Sequence, residues 1–310
     1  MRGRGASLAV AVGLDLALGE PATRVHPVAA AGWCLRRGHE PWRSAPPPVQ
    51  RAAGAMATAA TAAGAAGLGW VWERGAAALP TGWTRGLVAG VGVKPTFALR
   101  ALLQEARTVG ERLEAGDLPG ARQRLGALVS RPTAELSPGL IASAVCESLA
   151  ENLTDSVVGP WLAHGLLGLA GAAAYRVLNT ADAMYGYRGA LSNLGWGAAV
   201  SDDCANLLPA RLSAFLLMAA AGIASGRTGM GNAFRGWRRD ARLTDSPNAG
   251  QTMAAMAGAL GRRLEKPGHY VLGAGLPEPD VADIHRAIRL TGTAAALALV
   301  AGVALRGGGG

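Results

Sequence analysis

The sequence predicts an all-α protein, a polytopic bundle of helices integral to a membrane. Half of its 310 residues are hydrophobic, only 16% are charged, and the mean hydropathy is +0.21. Long uncharged runs recur along the chain, and the alternating pattern typical of strands is not sustained anywhere. Together these observations favour membrane helices over a bundle of buried helices in a soluble protein, which remains the alternative.

Two of the uncharged runs are long enough for a helix to cross the hydrocarbon, which takes roughly 20 apolar residues. Residues 52–72 form a run of 21 residues, and residues 156–175 form one of 20 with a single histidine. Residues 212–226 and 290–305 are marginal, with 15 and 16 residues. All are rich in alanine and glycine, which permit the close helix contacts found in lipid.

The net charge of +9 comes almost entirely from arginine, because Lys94 and Lys266 are the only lysines. Arginines cluster in residues 36–51 and 227–242, between apolar runs, so the positive-inside rule places both segments in the cytoplasm. Attraction to phosphates or to an anionic membrane face is one explanation of the charge, and the base composition of the gene is the other. We expect the lipid bilayer as a partner and no nucleic acid.

The organisation is predicted to be a single membrane-embedded domain over residues 1–310. Within it, residues 97–131 have apolar side chains at helical spacing, and indicate an insertion of two amphipathic helices on the cytoplasmic side. The two helices meet at "AGDLPG", with Asp117 as the N-cap of the second. Residues 132–270 are the main motif-bearing region, in which Ser137 and Ser246, each followed by proline, are predicted to start helices.

The stretch "CESLAENLTDSVVGP" places acids at unusual positions for so apolar a chain. A helix puts Glu147 and Glu151 one turn apart on one face, and Asp155 joins that face if the helix continues. Like charges at this spacing destabilise a helix, so they need a reason to be there. They either form a solvated polar face paired with arginines or supply oxygen ligands for a hard cation such as Mg²⁺.

Two further clusters combine acids with asparagine downstream. "YRVLNTADAMYGYRG" sets Asn179 and Asp182 three residues apart, and "GWGAAVSDDCANLLPARL" sets Asp202, Asp203 and Asn206 within one turn. Ionisable residues at membrane depth are costly, and are therefore candidates for function.

Five ordered motifs then resemble one family. Three of them are the acid-bearing stretches quoted above, and the other two are "GLDLALGEPATRVHPV" near the start and "DARLTDSPNAGQTMAAMAGAL" towards the end. Together they are similar to the adenosylcobinamide-phosphate synthases of cobalamin biosynthesis, of the CobD/CbiB type. The likeness runs from about residue 14 to residue 270. The chain departs from the family pattern at Glu20 (usually Asp), Ala183 (usually Ser) and Pro132 (usually Asp), and the last puts the role of that acidic position in doubt.

The resemblance implies a multi-pass enzyme of the cell membrane, with its active site facing the cytoplasm. It would join the free carboxyl of adenosylcobyric acid, a corrinoid substrate, to aminopropanol or its O-phosphate, as an ATP-dependent acid–amine ligase. ATP and Mg²⁺ are implied as cofactors, and other late cobalamin-pathway enzymes as possible partners. The chain has no P-loop motif, so the residues themselves do not locate the ATP site.

On this scheme each polar residue receives an expected role, although the residues do not single out the general base. The catalytic acids are Glu147, Glu151, Asp182, Asp202 and Asp203. The metal ligands are Glu151, Asp155, Asp202 and Asp203. The substrate- or phosphate-binding residues are His26, Asn152, Asn179, Arg176, Arg188, Asn206, Arg211, Ser246 and Asn248. Helix capping alone would also explain His26, Ser246 and Asn248.

Two other functions fit an apolar chain with embedded acids. A transporter would use its intramembrane carboxylates as a proton or cation path, but it should carry an inverted repeat, and none is visible. A non-catalytic scaffold would gather the late cobalamin-pathway enzymes at the membrane.

Overall fold

The computed structural model describes residues 3–186, 189 and 191–307, and most of these residues are helical. The α-helices, in chain order, are α1 (Arg4–Leu18), α2 (Pro27–His39), α3 (Pro47–Ala77), α4 (Gly82–Val93), α5 (Leu99–Glu114), α6 (Leu118–Leu125), α7 (Pro138–Leu153), α8 (Gly159–Tyr185), α9 (Trp196–Asp240), α10 (Ala249–Leu260) and α11 (Val281–Gly307). Short 3-10 turns cover Thr23–Val25, Glu40–Trp42 and Lys94–Thr96, and a π-helical turn covers Thr154–Val158. The predicted all-α class is confirmed.

One small hairpin departs from the prediction that the chain has no strands. β1 (Leu264–Lys266) pairs antiparallel with β2 (Tyr270–Leu272), and Leu264 lies opposite Leu272. Both leucines are fully buried. Strands of three residues are too short to show an alternating pattern, which explains why the sequence did not reveal them.

Within the described residues, three helices are long and apolar enough to cross a membrane: Pro138–Tyr185, Trp196–Asp240 and Val281–Ala304. A fourth span results if Gly82–Thr96 and Leu99–Glu114 act as one bent segment. The predicted run at residues 52–72 does form part of the 31-residue helix α3, but α3 is not among these candidates. Its many alanines, glycines and threonines lower its hydropathy, so the length of the uncharged run was a misleading guide.

The chain divides into two compact units, each made from separated stretches. The first unit comprises Met1–Ala98, Gly159–Asn206 and Leu299–Gly310, and the second comprises Leu99–Val158 and Leu207–Ala298. Both units draw on the motif-bearing region 132–270, and the single domain over residues 1–310 stays a prediction.

In the first unit α3 packs along α8, and α4 packs against α1 and α3. Glycines allow the backbones to approach closely in this unit, both at the α3–α8 crossing and where α3 meets the turn before α9. A Cβ atom on Gly54 would lie 1.9 Å from the carbonyl oxygen of Leu194, and one on Gly69 would lie 2.9 Å from that of Leu169. Only glycine fits at Gly54, so the small residues of the sequence do serve helix packing here.

An ion pair stabilises a break in α8 at Gly168, whose φ of 75° interrupts the helix. Arg4 donates from Nη1 to the carbonyl oxygens of Gly165 at 3.2 Å and Leu166 at 2.9 Å. The carboxylate of Glu73 accepts from the amide of Leu169 at 3.3 Å and lies 3.6 Å from Arg4 Nε. The backbone groups freed by the break are therefore paired with charged side chains, as an apolar environment requires.

The second unit confirms the predicted amphipathic pair. The side chain of Asp117 caps α6 by accepting from the amide of Gly120 at 2.9 Å, and Pro119 lies in the first turn. α7 begins at Pro138, with Ser137 accepting from the amide of Leu140 at 3.2 Å, as predicted. α7 packs against α5, α6, α10 and β1, and its side chains are nearly all buried.

We predict that Glu73→Ala lowers the free energy of unfolding by about 1–2 kcal/mol, because the amide of Leu169 loses its acceptor and the guanidinium of Arg4 loses its ion-pair partner. Denaturant unfolding of the protein in detergent measures this. The control is Glu111→Ala on the exposed face of α5, which should change stability by no more than about 0.5 kcal/mol. Equal stability of the two variants would show that the ion pair does not support the break.

Candidate functional site

The first unit gathers the acids of α8 and α9 into one cluster. α8 places Asn179 and Asp182 about one turn apart, and the start of α9 carries Asp202 and Asp203. The three carboxylates are close enough for their charges to interact. Asp182 and Asp203 both repel Asp202, and Asp203 also repels Asp182. Three carboxylates predicted from two separate motifs thus lie within range of mutual repulsion.

A chain of hydrogen bonds orients Asp202 within this cluster. Tyr175 donates its hydroxyl to Oδ1 of Asn206 at 2.5 Å, and Asn206 donates from Nδ2 to Oδ2 of Asp202 at 2.9 Å. Asp202 is 8% exposed, and its Oδ1 atom is buried without a hydrogen-bond partner among the described residues. Asn206 therefore holds one oxygen of this carboxylate in place, and Asn179 is a second side chain close to the group.

Further predicted residues lie on the same stretch of α8. Arg176 donates from Nη1 to Oδ1 of Asn179 at 3.3 Å, so the two are neighbours on the helix surface. Arg188 lies outside the described residues. The predicted set Arg176, Asn179, Asp182, Asp202, Asp203 and Asn206 therefore belongs to one unit and to two helices.

In the second unit Glu147 lies at the centre of a buried polar group. Its Oε1 accepts from the hydroxyl of Ser143 at 2.7 Å, and its Oε2 accepts from Nη2 of Arg131 and from the hydroxyl of Tyr270, each at 3.1 Å. The carboxylate is 5% exposed, so these donors replace the water that it loses. The hydroxyl of Ser143 also accepts from the amide of Glu265 at 2.7 Å, which fixes the hairpin to α7.

Arg131 and Tyr270 are functional candidates that the sequence did not reveal. Two buried nitrogens of Arg131, Nε and Nη1, have no acceptor within the part of the chain that the structure describes. Burial and the negative charges of Glu147 and Glu151 raise the pKa of the Tyr270 hydroxyl above its usual range, so this group is a donor at neutral pH. Tyr270 is distant in sequence from Glu147, and no local pattern could have paired them.

The end of α7 differs from the continuous helix on which Asp155 was expected to join Glu147 and Glu151. Glu151 is exposed, and the next turn, which carries Asp155, is π-helical. Asn152 donates from Nδ2 to the carbonyl oxygen of Ser148 at 3.1 Å and accepts from the hydroxyl of Ser156 at 3.0 Å. Asn152 thus stabilises the transition into the wider turn, a local irregularity that is frequent at functional sites.

The predicted helix start at Pro247 is wrong, because α10 begins two residues later at Ala249. The hydroxyl of Ser246 accepts from the amide of Asn248 at 3.2 Å, and the hydroxyl of Thr244 accepts from that of Gly250 at 3.0 Å. Side chains therefore already bond to amides at this helix start, and the phosphate-binding roles of Ser246 and Asn248 stay predictions. Asn248 instead accepts from Nη1 of Arg211 at 3.1 Å through Oδ1, which joins two residues predicted to bind substrate.

His26 belongs to a charged network in the first unit. It begins α2, with Nδ1 accepting from the amide of Val28 at 3.1 Å, and its Nε2 lies 2.9 Å from Oε2 of Glu20. Lys94 bridges Oε1 of Glu20 at 2.6 Å and Oδ1 of the fully buried Asp15 at 2.9 Å. Burial alone would raise the pKa of Glu20, but hydrogen bonds and charges from Lys94 and His26 outweigh it and lower that pKa. The rarity of lysine was the one signal pointing to Lys94.

A metal ion would need ligands beyond those that the protein brings together. Among the described residues, no three His, Cys, Asp or Glu side chains are arranged to hold a metal ion. Asp202, with its unpaired buried oxygen, nevertheless fits the chemistry of Mg²⁺, which is often bound through one or two carboxylates together with water and substrate phosphates. The metal roles of Glu151, Asp155, Asp202 and Asp203 stay predictions.

Comparison with known proteins gives a consistent family. The model of the CobD/Cbib protein family matches residues 8–302. The probable cobalamin biosynthesis protein CobD of Methanothermobacter thermautotrophicus is 40% identical over 274 residues, 86% of each chain. The cobalamin biosynthesis protein CobD of Rhodobacter capsulatus is 38% identical over 301 residues, 92% of each chain. The one from Geobacter metallireducens is 37% identical over 285 residues, 90% of this chain and 86% of the relative.

No solved structure matches the chain significantly. The family match covers nearly all of the sequence, including the motifs that carry Glu147, Asp182 and Asp202. The resemblance inferred from these motifs is thereby confirmed, and the chain belongs to the CobD/CbiB family of cobalamin biosynthesis proteins.

Proposed function

We propose that this protein joins the free carboxyl of adenosylcobyric acid to aminopropanol or its O-phosphate, using ATP, to give adenosylcobinamide or its phosphate. Family membership limits the role to cobalamin biosynthesis. The observation that carries the proposal further is the buried, unpaired Oδ1 of Asp202 beside the charges of Asp182 and Asp203.

An unpaired carboxylate oxygen in a dry site costs several kcal/mol unless a cation or a donor approaches it. The neighbouring acids add repulsion, so a positive group is the favoured occupant. The proposed reaction brings two such groups, the ammonium of the amine substrate and the Mg²⁺ of Mg·ATP. Both would be drawn to this cluster, which therefore suits a ligase better than a purely structural role.

The chemistry requires activation, because a carboxylate does not condense with an amine at neutral pH. In the proposed first step a carboxylate oxygen of the corrinoid attacks the γ-phosphorus of ATP, and the bond to the oxygen of ADP breaks. The nitrogen of the neutral amine then attacks the carbonyl carbon of the acyl phosphate, and inorganic phosphate leaves. The amine must lose protons along this path, so an acid near it acts as the base.

Asp202 is the best placed of the acids for this base, since Asn206 and Tyr175 fix one of its oxygens and aim the other. An oriented carboxylate needs no reorganisation when charge develops at the nitrogen. Mg²⁺, when bound, would offset the charge of the transferred phosphoryl group. Asn206 and Tyr175 are positioning residues in this proposal, and Asp182 and Asp203 add to the negative potential that attracts the amine.

Glu147 receives a different role, because three donors already occupy its carboxylate. We assign it to holding Arg131 and the hairpin in place. The two unpaired nitrogens of Arg131 remain available to an acceptor, such as a carboxylate or phosphate of a ligand.

We predict that Asp202→Asn lowers kcat for amide formation by about 100-fold or more, since it removes the proton acceptor and the charge that attracts the cation. The protein in nanodiscs is supplied with adenosylcobyric acid, Mg·ATP and either amine, and the amide product is followed by mass spectrometry. Glu40→Gln, at an exposed position in the same unit, is the matched control and should keep full activity.

Absence of product from the folded parent protein, with both amines and several divalent metals, would contradict the ligase assignment. A transporter or a scaffold would then be the better description. Full activity in a folded Asp202→Asn protein would instead keep the ligase and move its base to another acid.

We predict that Glu147→Gln acts mainly on folding and lowers the free energy of unfolding by about 3–5 kcal/mol, because it leaves the buried charge of Arg131 without its partner. Tyr270→Phe removes one hydrogen bond to the same carboxylate and should cost only about 1–2 kcal/mol. Denaturant unfolding in detergent compares them. A Glu147→Gln protein that is as stable as the parent but inactive would place Glu147 among the reacting groups.

A further inference from the structure

A basic cavity in the second unit is lined by none of the residues assigned to the reaction described above. Its volume is about 640 Å³, and it lies beside the end of α9 and the end of α10. Arg235, Arg238 and Arg239 line it together with Phe234, Gly258 and Gly261. The volume is within the range of pockets that hold small molecules, roughly 300–1,000 Å³.

The three arginines share one face of α9, yet only one of them is neutralised. Arg239 forms two hydrogen bonds of 2.8 Å to the carboxylate of Asp240. Arg235 contacts only the neutral side-chain oxygen of Asn232, and Arg238 lies over the ring of Phe234 with its Cζ 5.9 Å from the centroid. Neither of these two has an acidic partner in the part of the chain that the structure describes.

Two uncompensated guanidinium groups on one helix face repel each other. An anion that sits between them would remove this repulsion and gain charge-assisted hydrogen bonds. The planar fork of arginine matches the oxygens of a phosphate group in particular. Nothing lies within 4 Å of the position that a Cβ on Gly261 would take, so this edge of the cavity is open to a ligand.

We propose that this cavity is a binding site for a phosphate group, held by Arg235 and Arg238 against Phe234 and the glycine backbone of α10. None of its residues belongs to the acid cluster of the first unit, so binding here can be tested separately from the ligase reaction.

The position along α9 is compatible with two sources of the phosphate. The apolar part of α9 ends at a break with non-helical backbone at Ser225 and Gly226, and the arginines follow it. Met230 and Phe234 are exposed apolar side chains in the same segment. Basic pockets at the ends of membrane helices bind the phosphates of anionic lipids, and a soluble phosphate compound presents the same oxygens. The chemistry is shared, so the experiment has one arm for each source.

The first arm measures equilibrium dialysis of radiolabelled pyrophosphate against the full-length protein in phosphatidylcholine nanodiscs. The second measures retention of phosphatidylglycerol by the detergent-purified protein in native mass spectrometry. Each arm compares the parent with Arg235→Gln/Arg238→Gln. The matched control is Arg227→Gln/Arg242→Gln, which removes the same charge from two exposed arginines that do not line the cavity.

The parent should bind at least one probe, and Arg235→Gln/Arg238→Gln should weaken it about tenfold or more, whereas the control should change it by less than about twofold. If Arg235→Gln/Arg238→Gln weakens the binding of pyrophosphate alone, the ligand is a soluble phosphate compound. If it weakens the binding of phosphatidylglycerol alone, the ligand is a lipid headgroup. The proposal is overturned if the parent binds neither probe, or if both double variants weaken binding equally. If the glutamine variant fails to fold, Arg235→Lys/Arg238→Lys replaces it. This variant keeps the charge but loses the planar guanidinium groups, so it should still bind the probe more weakly than the control does.

Discussion

Compensation of buried charge is the constraint on which the rest of this structure depends. Lys94 and Asp15 are almost completely buried, and each is tolerated because the other lies 2.9 Å away. Arg131 and Glu147 stand in the same relation at 3.1 Å, and a third ion pair satisfies the backbone at the break in α8. Such pairs contribute little net stability, but removal of one partner is strongly unfavourable. They therefore fix which helices can lie together.

Asp202 is an exception to this pairing of buried charges, and this exception is what makes the acid cluster a candidate functional site. The other buried acids of the described chain have partners, whereas Oδ1 of Asp202 has none and two further carboxylates act on it. A buried oxygen without a hydrogen-bond partner, beside two like charges, favours the approach of a cationic group from outside the chain. The local environment, more than the residue type, thus separates Asp202 from Glu147.

Much of the helical organisation could be predicted from the sequence, because it depends on neighbours in the chain. The cap at Asp117 and the start of α7 at Pro138 follow from local patterns, and the structure confirms both. The predicted start at Pro247 failed because hydroxyls of nearby residues compete for the same amides. The break at Gly168 was not foreseen, since it depends on contacts from distant segments. The π-helical turn was not foreseen either, because its hydrogen bonds join residues of a stretch that reads as ordinary helix.

The candidate site was also predictable only as far as local sequence patterns determine it. The motifs picked out the acids as a group, but they could not show that three donors engage the carboxylate of Glu147, because two of these donors, Arg131 and Tyr270, lie in a loop and in the hairpin. A carboxylate whose lone pairs are already engaged has little capacity left for a ligand, and one with a free oxygen keeps it. Acids that look equivalent in the sequence therefore differ in what they can do.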